Sequence, residues 1–303
     1  MKVTMMKSSA LVLSLMLSGV VYAAESNGSE YLWQTQSGKF EVTPTLGLYE
    51  KMDITARTAG ASGSERTSMP ITVKGEYGIN EMFSAGILLG TDSISTKSKA
   101  AGAVAQKSTG MFDPVLFFHG RYNLGMGWLK YGADLSVGFQ KGETKANGDT
   151  NNATGGNTLT PFAGWEMAAG PGTFGAKLMF DLYKGEGSNE DKSTTPSTTT
   201  KTSGGNRFGL AAFYEMGMGM WDLGGALSYH TAASTKSKVA SVETTNDDDM
   251  SEILLQVYAP VHINEMITIL PELHYGMVTW SKATYGAKSA SDTGLQVGAR
   301  FAF

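Results

Sequence analysis

Apolar and polar residues alternate with a period of two along most of this chain. In Gly294–Phe303, every odd-numbered position is apolar, whereas the even-numbered positions carry Gly, Gln, Gly, Arg and Ala. A period of two predicts β-strands with one apolar face and one polar face. The same parity recurs in segments of about ten residues, which is the length that a tilted strand needs to cross a bilayer.

Twelve such strands are predicted. They run approximately over Lys39–Asp53, Ser68–Ile79, Met82–Asp92, Met111–Leu124, Trp128–Gln140, Thr158–Ala168, Thr173–Lys184, Arg207–Met216, Trp221–Thr231, Glu252–Ile263, Ile267–Trp280 and Thr293–Phe303. Short turns that contain Gly, Asn or Pro alternate with long stretches rich in Thr, Ser, Lys, Asn and Gly. This alternation predicts an all-β fold, a closed antiparallel up-and-down transmembrane β-barrel of about 12 strands with short periplasmic turns and long extracellular loops. The strand number could differ by two, and a soluble β-sandwich is the alternative fold.

The first residues predict export and divide the chain into three parts. Lys2 and Lys7 precede the apolar run 10–21, and Val21-Tyr22-Ala23 has the small residues of a signal-peptidase site. We therefore expect a cleaved signal peptide at residues 1–23. A short N-terminal periplasmic segment at 24–38 and the transmembrane barrel at 39–303 would follow.

Composition narrows the classes of function. The chain has no cysteine, which excludes disulfide scaffolds and thiolate metal sites. Removing residues 1–23 would take two of the 24 basic side chains and none of the 28 acidic ones, so the mature chain is acidic and no nucleic acid is expected as a partner. We expect no cofactor. We also expect no metal, because Asn246-Asp247-Asp248-Asp249 lacks the spaced ligands and distal Glu of a calcium loop.

The last strand carries the most specific motif. Its alternating apolar residues end at Phe301 and a terminal Phe303. This ending resembles the C-terminal signature of Gram-negative outer-membrane β-barrel proteins, and the whole chain looks porin-like. The resemblance implies localisation in the bacterial outer membrane, with lipid and lipopolysaccharide as surroundings, and recognition of the last strand by the barrel assembly machinery. The oligomeric state cannot be read from the sequence.

The polar parity of the strands supplies the candidate site. The residues predicted to line a pore are Lys74, Glu76, Arg121, Lys130, Asp134, Glu166, Lys177, Asp181, Glu215, Asp222, Glu272, His274 and Arg300. A dry apolar core cannot accept this many charges without water or partners, and twelve strands enclose a space between the filled eight-stranded and the open sixteen-stranded barrels. We therefore predict a narrow channel for passive diffusion of ions and small polar solutes.

Arg121 and Lys130 are predicted to face each other near one short turn, and Glu215 and Asp222 near another. Such pairs would set a basic arc against an acidic arc at one mouth. Inward Tyr49 and other large residues could instead narrow or plug the lumen. A structural or loop-mediated binding barrel with an occluded lumen, and a substrate-specific channel, therefore remain as alternatives.

No catalytic residues are predicted. The histidines all fall on the lumen parity, and Gly60-Ala61-Ser62-Gly63 lacks the spacing of a nucleophile elbow. Glu272 and His274 share a face and are interpreted as a hydrogen-bonded pair. The loop 185–206 is too polar to bury itself, so we expect it in solvent rather than folded into the lumen.

Overall fold

The computed structural model describes residues 29–58, 61–100, 105–184, 186–246, 249–281 and 287–303. The predicted signal peptide lies outside the described residues. Within them, no helix has the length and the apolar character that crossing a membrane requires.

The described chain is built of strands and one 3₁₀ turn, Glu30–Leu32. The strands are β1 (Phe40–Ala56), β2 (Ser64–Ser68), β3 (Ile71–Gly78), β4 (Phe83–Ser98), β5 (Gln106–Met111), β6 (Val115–Asn123), β7 (Trp128–Ser136), β8 (Gly142–Thr144), β9 (Asn157–Ala169), β10 (Gly172–Lys184), β11 (Gly187–Asp191), β12 (Thr198–Gly204), β13 (Arg207–Gly217), β14 (Asp222–Ala232), β15 (Thr235–Val239), β16 (Val242–Asn246), β17 (Met250–Tyr258), β18 (Val261–Asn264), β19 (Ile267–Trp280) and β20 (Ala287–Ala302).

Twelve of these strands form a closed antiparallel barrel, as the alternation predicts. Neighbours in sequence pair around the ring in the order β1, β3, β4, β6, β7, β9, β10, β13, β14, β17, β19 and β20. Closure comes from β20 pairing with β1, which runs from Glu41 opposite Ala302 to Ala56 opposite Ala287. At the end of this seam, Phe303 N donates to Phe40 O at 2.9 Å and Phe40 N donates to Phe303 O at 3.2 Å.

The two faces of the wall differ as the period of two requires. In β13, for example, Ala211 and Phe213 are buried, whereas Leu210 and Tyr214 point outward and are exposed. Large apolar side chains cover the outer face, and most of the charged strand residues are buried on the inner face. The interior of the barrel is therefore largely polar with apolar patches such as that of Ala211 and Phe213, and large apolar side chains cover the outside.

A bulge in β1 moves residues from one face to the other. The pairing of β1 with β20 shifts between Gly47 and Tyr49, and a Cβ on Gly47 would lie 2.5 Å from the Cδ of Pro70. Beyond the bulge Glu50 is buried and Tyr49 is half exposed. The prediction that Tyr49 points inward is therefore wrong, because an extra residue in a strand reverses the parity that follows.

Three of the long loops contribute strands to a second sheet, whereas β2 and β5, in two other loops, pair with β1 and β4 of the main sheet. Five of the remaining strands pair in the order β16, β15, β12, β11 and β8. Of the loop 185–206, the hairpin Gly187–Asp191 with Thr198–Gly204 belongs to this sheet, and the residues at its turn are exposed. Solvent exposure of the turn agrees with its polar composition, whereas the pairing with β15 was not foreseen.

Candidate functional site

The lumen contains the residues predicted to line a pore. Nine of them are buried, namely Lys74, Glu76, Arg121, Lys130, Glu166, Asp181, Glu215, Glu272 and Arg300. Asp134, Lys177, Asp222 and His274 are partly buried and belong to the same inner face. The structure thus brings all these side chains to one enclosed space, while their role in conduction stays a prediction.

Most of the interior charges are paired. The ammonium of Lys74 contacts the carboxylate of Glu76, and Arg207 Nε donates to Asp181 Oδ2 at 2.5 Å. Lys130 Nζ lies 3.4 Å from Glu166 Oε1. These pairs lower the cost of holding charges away from bulk water.

The two predicted charge arcs are found only in part. Arg121 and Lys130 do face each other across β6 and β7. Glu215, however, faces Gly224, and Asp222 faces Gly217, so the two carboxylates are offset along their strands. Glu166 Oε1 lies 3.4 Å from Lys130 and balances one member of the basic pair, so separate basic and acidic arcs stay a prediction.

The N-terminal segment, residues 29–36, lies inside the barrel. Gly38 has φ +75°, a conformation that favours glycine, and Lys39 N donates to Gln36 O at 3.1 Å. This turn reverses the chain just before β1 and directs the preceding residues into the lumen. Of the segment 24–38, which the sequence predicts to be periplasmic, residues 29–35 are buried inside the barrel and 24–28 lie outside the described residues.

Carboxylates of the wall hold the start of the N-terminal segment. Ser29 Oγ and Ser29 N donate to Glu166 Oε2 at 2.6 and 3.1 Å. Glu30 N donates to Glu215 Oε2 at 2.8 Å. Two of the predicted pore-lining residues are therefore acceptors for backbone and hydroxyl groups of this segment.

Apolar contacts and further hydrogen bonds seat the middle of the N-terminal segment. The ring of Tyr31 packs 4.8 Å from that of Phe213, and its hydroxyl lies 3.3 Å from Ser228 Oγ. Leu32 packs against Gly164, where a Cβ would lie 2.9 Å from Leu32 Cδ1. Glycine on the inner face thus leaves room for the segment.

Trp33 separates two cavities in the lumen. A cavity of about 750 Å³ opens at the short-turn end, and a smaller one of about 90 Å³ lies deeper, beside Lys74 and His119. Trp33 lines both of them. Its indole Nε1 donates to Glu41 Oε2 at 2.8 Å, and the guanidinium of Arg300 lies 4.4 Å from its ring centre. The N-terminal segment is the barrier between these two spaces.

Sequence reasoning missed this segment because its partners are distant in the chain. The signal that could have indicated it is Tyr31-Leu32-Trp33, three large apolar residues in a stretch otherwise too polar for a strand. Such a cluster needs a surface to pack on, and the inner wall provides it.

Solved structures resemble this chain in fold. An outer-membrane channel from Pseudomonas putida F1 superposes with a TM-score of 0.67 at 12% identity, over 92% of this chain and 100% of that chain. The translocator domain of the autotransporter NalP from Neisseria meningitidis gives 0.50 at 13% identity, over 89% and 90%. A mutant of the monoaromatic hydrocarbon channel TodX gives 0.50 at 10% identity, over 92% and 93%. The chain has the fold of an outer-membrane β-barrel protein. No family model matches it, and no curated protein matches its sequence.

The two ends of the barrel differ in their connections. The short turns at Gly170, Gly219 and Glu265 line the larger cavity. In the turn 79–82, Met82 O accepts a hydrogen bond from Gln34 Nε2 of the N-terminal segment at 3.1 Å. The opposite end carries the five-stranded loop sheet, in which exposed ion pairs such as Lys201 with Glu186 at 2.7 Å join the strands. In outer-membrane barrels short turns face the periplasm and long loops face the outside. The N-terminal segment therefore lies towards the side of the short turns.

Proposed function

We propose that this chain is an outer-membrane channel for small polar solutes, and that the N-terminal segment controls its conductance. The observation that carries the proposal is the position of Trp33 between the two cavities of a charged lumen. The barrel wall is closed by strand pairing all the way round, whereas the segment is held by side-chain contacts that water can replace. Movement of the segment would join the cavities without opening the wall.

The chemistry of the wall supports polar cargo. Movement of the segment would expose paired charges such as Lys130 with Glu166, which are buried beneath it, and such groups stabilise hydrated solutes. The similarity to a protein described as an outer-membrane channel supports transport in general, while ions and small polar solutes are our inference from the lumen. We likewise infer the outer membrane as its location, with lipid and lipopolysaccharide around the barrel.

A barrel with a permanently occluded lumen is the second candidate. The burial of the segment favours it, since Leu32 is only 5% exposed and Ser29 is fully enclosed. Such a barrel would act through the loop sheet or by supporting the membrane. A substrate-specific channel is a variant of the first proposal and would show saturable uptake. The expectation that the chain is not an enzyme stays a prediction.

Conductance in planar lipid bilayers separates these candidates. We expect small, infrequent openings from the full barrel and a larger, steady conductance when residues 29–36 are deleted. If neither protein conducts above bare lipid, the proposal that the chain is a channel is overturned. If the full barrel and the deletion variant conduct equally, the proposal that the N-terminal segment controls conductance is overturned.

A reversible tether keeps the test valid if the deletion variant folds poorly. The chain has no cysteine, so Leu32→Cys with Gly164→Cys introduces one addressable pair. Loss of the Leu32 Cδ atoms leaves room for a side chain at Gly164, where a Cβ would otherwise meet one of them at 2.9 Å. We expect a short thiol cross-linker that can be cleaved to abolish the openings, and cleavage to restore them. The Leu32→Cys single variant is the control.

A further inference from the structure

Three residues of the inner wall meet around a glycine on neighbouring strands. His274 of β19 and Glu50 of β1 both lie opposite Gly294, which belongs to β20 between them. Asp292 lies two positions before Gly294 on the same face of β20. One imidazole and two carboxylates therefore converge, and one ligand atom from each lies within 4.8 Å of the others.

Gly294 is what permits this meeting. A Cβ at this position would lie 2.2 Å from His274 Cε1 and 2.6 Å from Glu50 Oε2. Any other residue would force the imidazole and the carboxylate apart. The site is thus built into the backbone of three strands rather than formed by side chains that happen to be near.

The distances differ from those of the other histidines. His119, His230 and His262 each have a ring nitrogen 2.8 to 2.9 Å from one carboxylate oxygen, as in ordinary hydrogen bonds. His274 Nε2 instead lies 3.4 Å from both Glu50 Oε2 and Asp292 Oδ2. Two ligand atoms that are each about 2.0–2.2 Å from a tetrahedral Zn²⁺ are about 3.4 Å apart. The imidazole nitrogen is therefore at ligand spacing from each carboxylate, and the three ligand atoms lie within 4.8 Å of one another.

Two oxygens of these buried carboxylates also accept no hydrogen bond, although both carboxylates lie 3.4 Å from His274 Nε2. The side chains of Glu50 and Asp292 are only 4% and 9% exposed. Glu50 Oε2 and Asp292 Oδ1 accept no hydrogen bond. Leaving buried acceptors unsatisfied is costly, and more so for charged ones. Asp92 adds a further buried acid nearby, and Arg66 is the cation that interacts with it and with Asp292. A bound divalent cation would satisfy the excess of negative charge.

We propose that Glu50, His274 and Asp292 bind a divalent transition-metal ion, with Zn²⁺ as the preferred occupant. Imidazole and carboxylate ligands suit this class of ion, and three protein ligands leave the fourth tetrahedral position to water. The expectation of no metal rested on the absence of cysteine and on Asn246-Asp247-Asp248-Asp249, and it did not consider these three residues, which come from separate strands. The inference does not depend on whether the barrel conducts.

Metal binding to the full-length barrel in detergent, freed of lipopolysaccharide and treated with a chelator, tests the proposal. We expect one equivalent of Zn²⁺ by calorimetry and an intense visible absorption from tetrahedral Co²⁺ at the same stoichiometry. His274→Ala and Glu50→Gln should each weaken binding by at least about tenfold. His119→Ala is the matched control, since it removes a lumen histidine that has one ordinary carboxylate partner.

The outcomes are distinct. Binding that survives in His274→Ala, or that is lost equally in His119→Ala, would overturn the site. So would a wild-type barrel that binds no Zn²⁺, because the imidazole would then be held by the two carboxylates as a protonated triad. If His274→Ala folds poorly by its gel mobility, Gly294→Ala provides a second test that leaves all three ligands in the chain, and it should also lose the ion.

Discussion

Ser29 and Glu166 are 137 positions apart in the chain and are joined by two hydrogen bonds inside the barrel. Both end on Glu166 Oε2, while Glu166 Oε1 faces Lys130 at 3.4 Å. One carboxylate therefore links the N-terminal segment to the wall and balances a buried cation. This double role makes Glu166 the position at which a small change should most affect the segment.

Glu166→Gln should loosen the N-terminal segment. Hydrogen bonds to a charged group contribute about 1.5–3 kcal/mol. The fraction of barrels in which the segment has left its site should therefore rise by at least roughly tenfold. The measurement is the rate at which a maleimide labels Leu32→Cys, which is buried in the native barrel. Glu190→Gln, on the loop sheet, is the control and should leave the rate unchanged. Equal rates for both variants would contradict the role of Glu166.

Gly224→Ala should destabilise the barrel. A Cβ there would lie 2.1 Å from the ring of Tyr258, which is buried at 3% exposure, and overpacking of this kind costs about 1–3 kcal/mol. The free energy of unfolding in lipid vesicles, measured with urea, gives the cost. Gly225→Ala is a matched control on the other face, where a Cβ meets only Gln256 O at 3.6 Å. A similar loss for both would argue against close packing under Tyr258.

Leu255→Arg should be costly, because the proposed membrane location places this side chain in lipid. The side chain is 48% exposed and lies between Leu227 and Tyr275 on the outer face. An arginine near the bilayer midplane costs about 2–4 kcal/mol in barrels of this kind. The same urea unfolding experiment applies. Val242→Arg, on the loop sheet and 66% exposed, should be tolerated. If both substitutions leave the free energy of unfolding unchanged, the assignment of Leu255 to a lipid-facing position is contradicted.

Phe303→Ala should impair assembly in cells but not the folding of the purified chain. The contacts of Phe303 with Phe40 in the seam are backbone hydrogen bonds, which alanine keeps, and its ring is 67% exposed. The exposed ring is therefore available for recognition by assembly machinery. The test compares the folded fraction in outer membranes with refolding in vesicles. Phe40→Ala changes an outward aromatic at the same end and should assemble normally, so a defect shared by both variants would point to general destabilisation.

The alternation of residues predicted the strands, their number and the side of the wall on which most charges lie. This works because a strand in a barrel wall has only two environments, and each residue's polarity reports which one it occupies. All the residues predicted to line a pore belong to the inner face, from Lys74 to Arg300. Parity fails only where the backbone departs from it, as it does at the bulge before Glu50.

Tertiary structure decided what fills the lumen. The hydrogen bonds of Ser29, the packing of Trp33 between two cavities and the meeting of His274 with Glu50 over Gly294 join residues from distant parts of the chain. Local polarity has no information about which side chains become neighbours when a sheet curls and closes. The sequence by itself therefore determined a twelve-stranded wall with an apolar outside and a charged inside, whereas barrel closure determined how the N-terminal segment sits in the lumen and which side chains meet over Gly294.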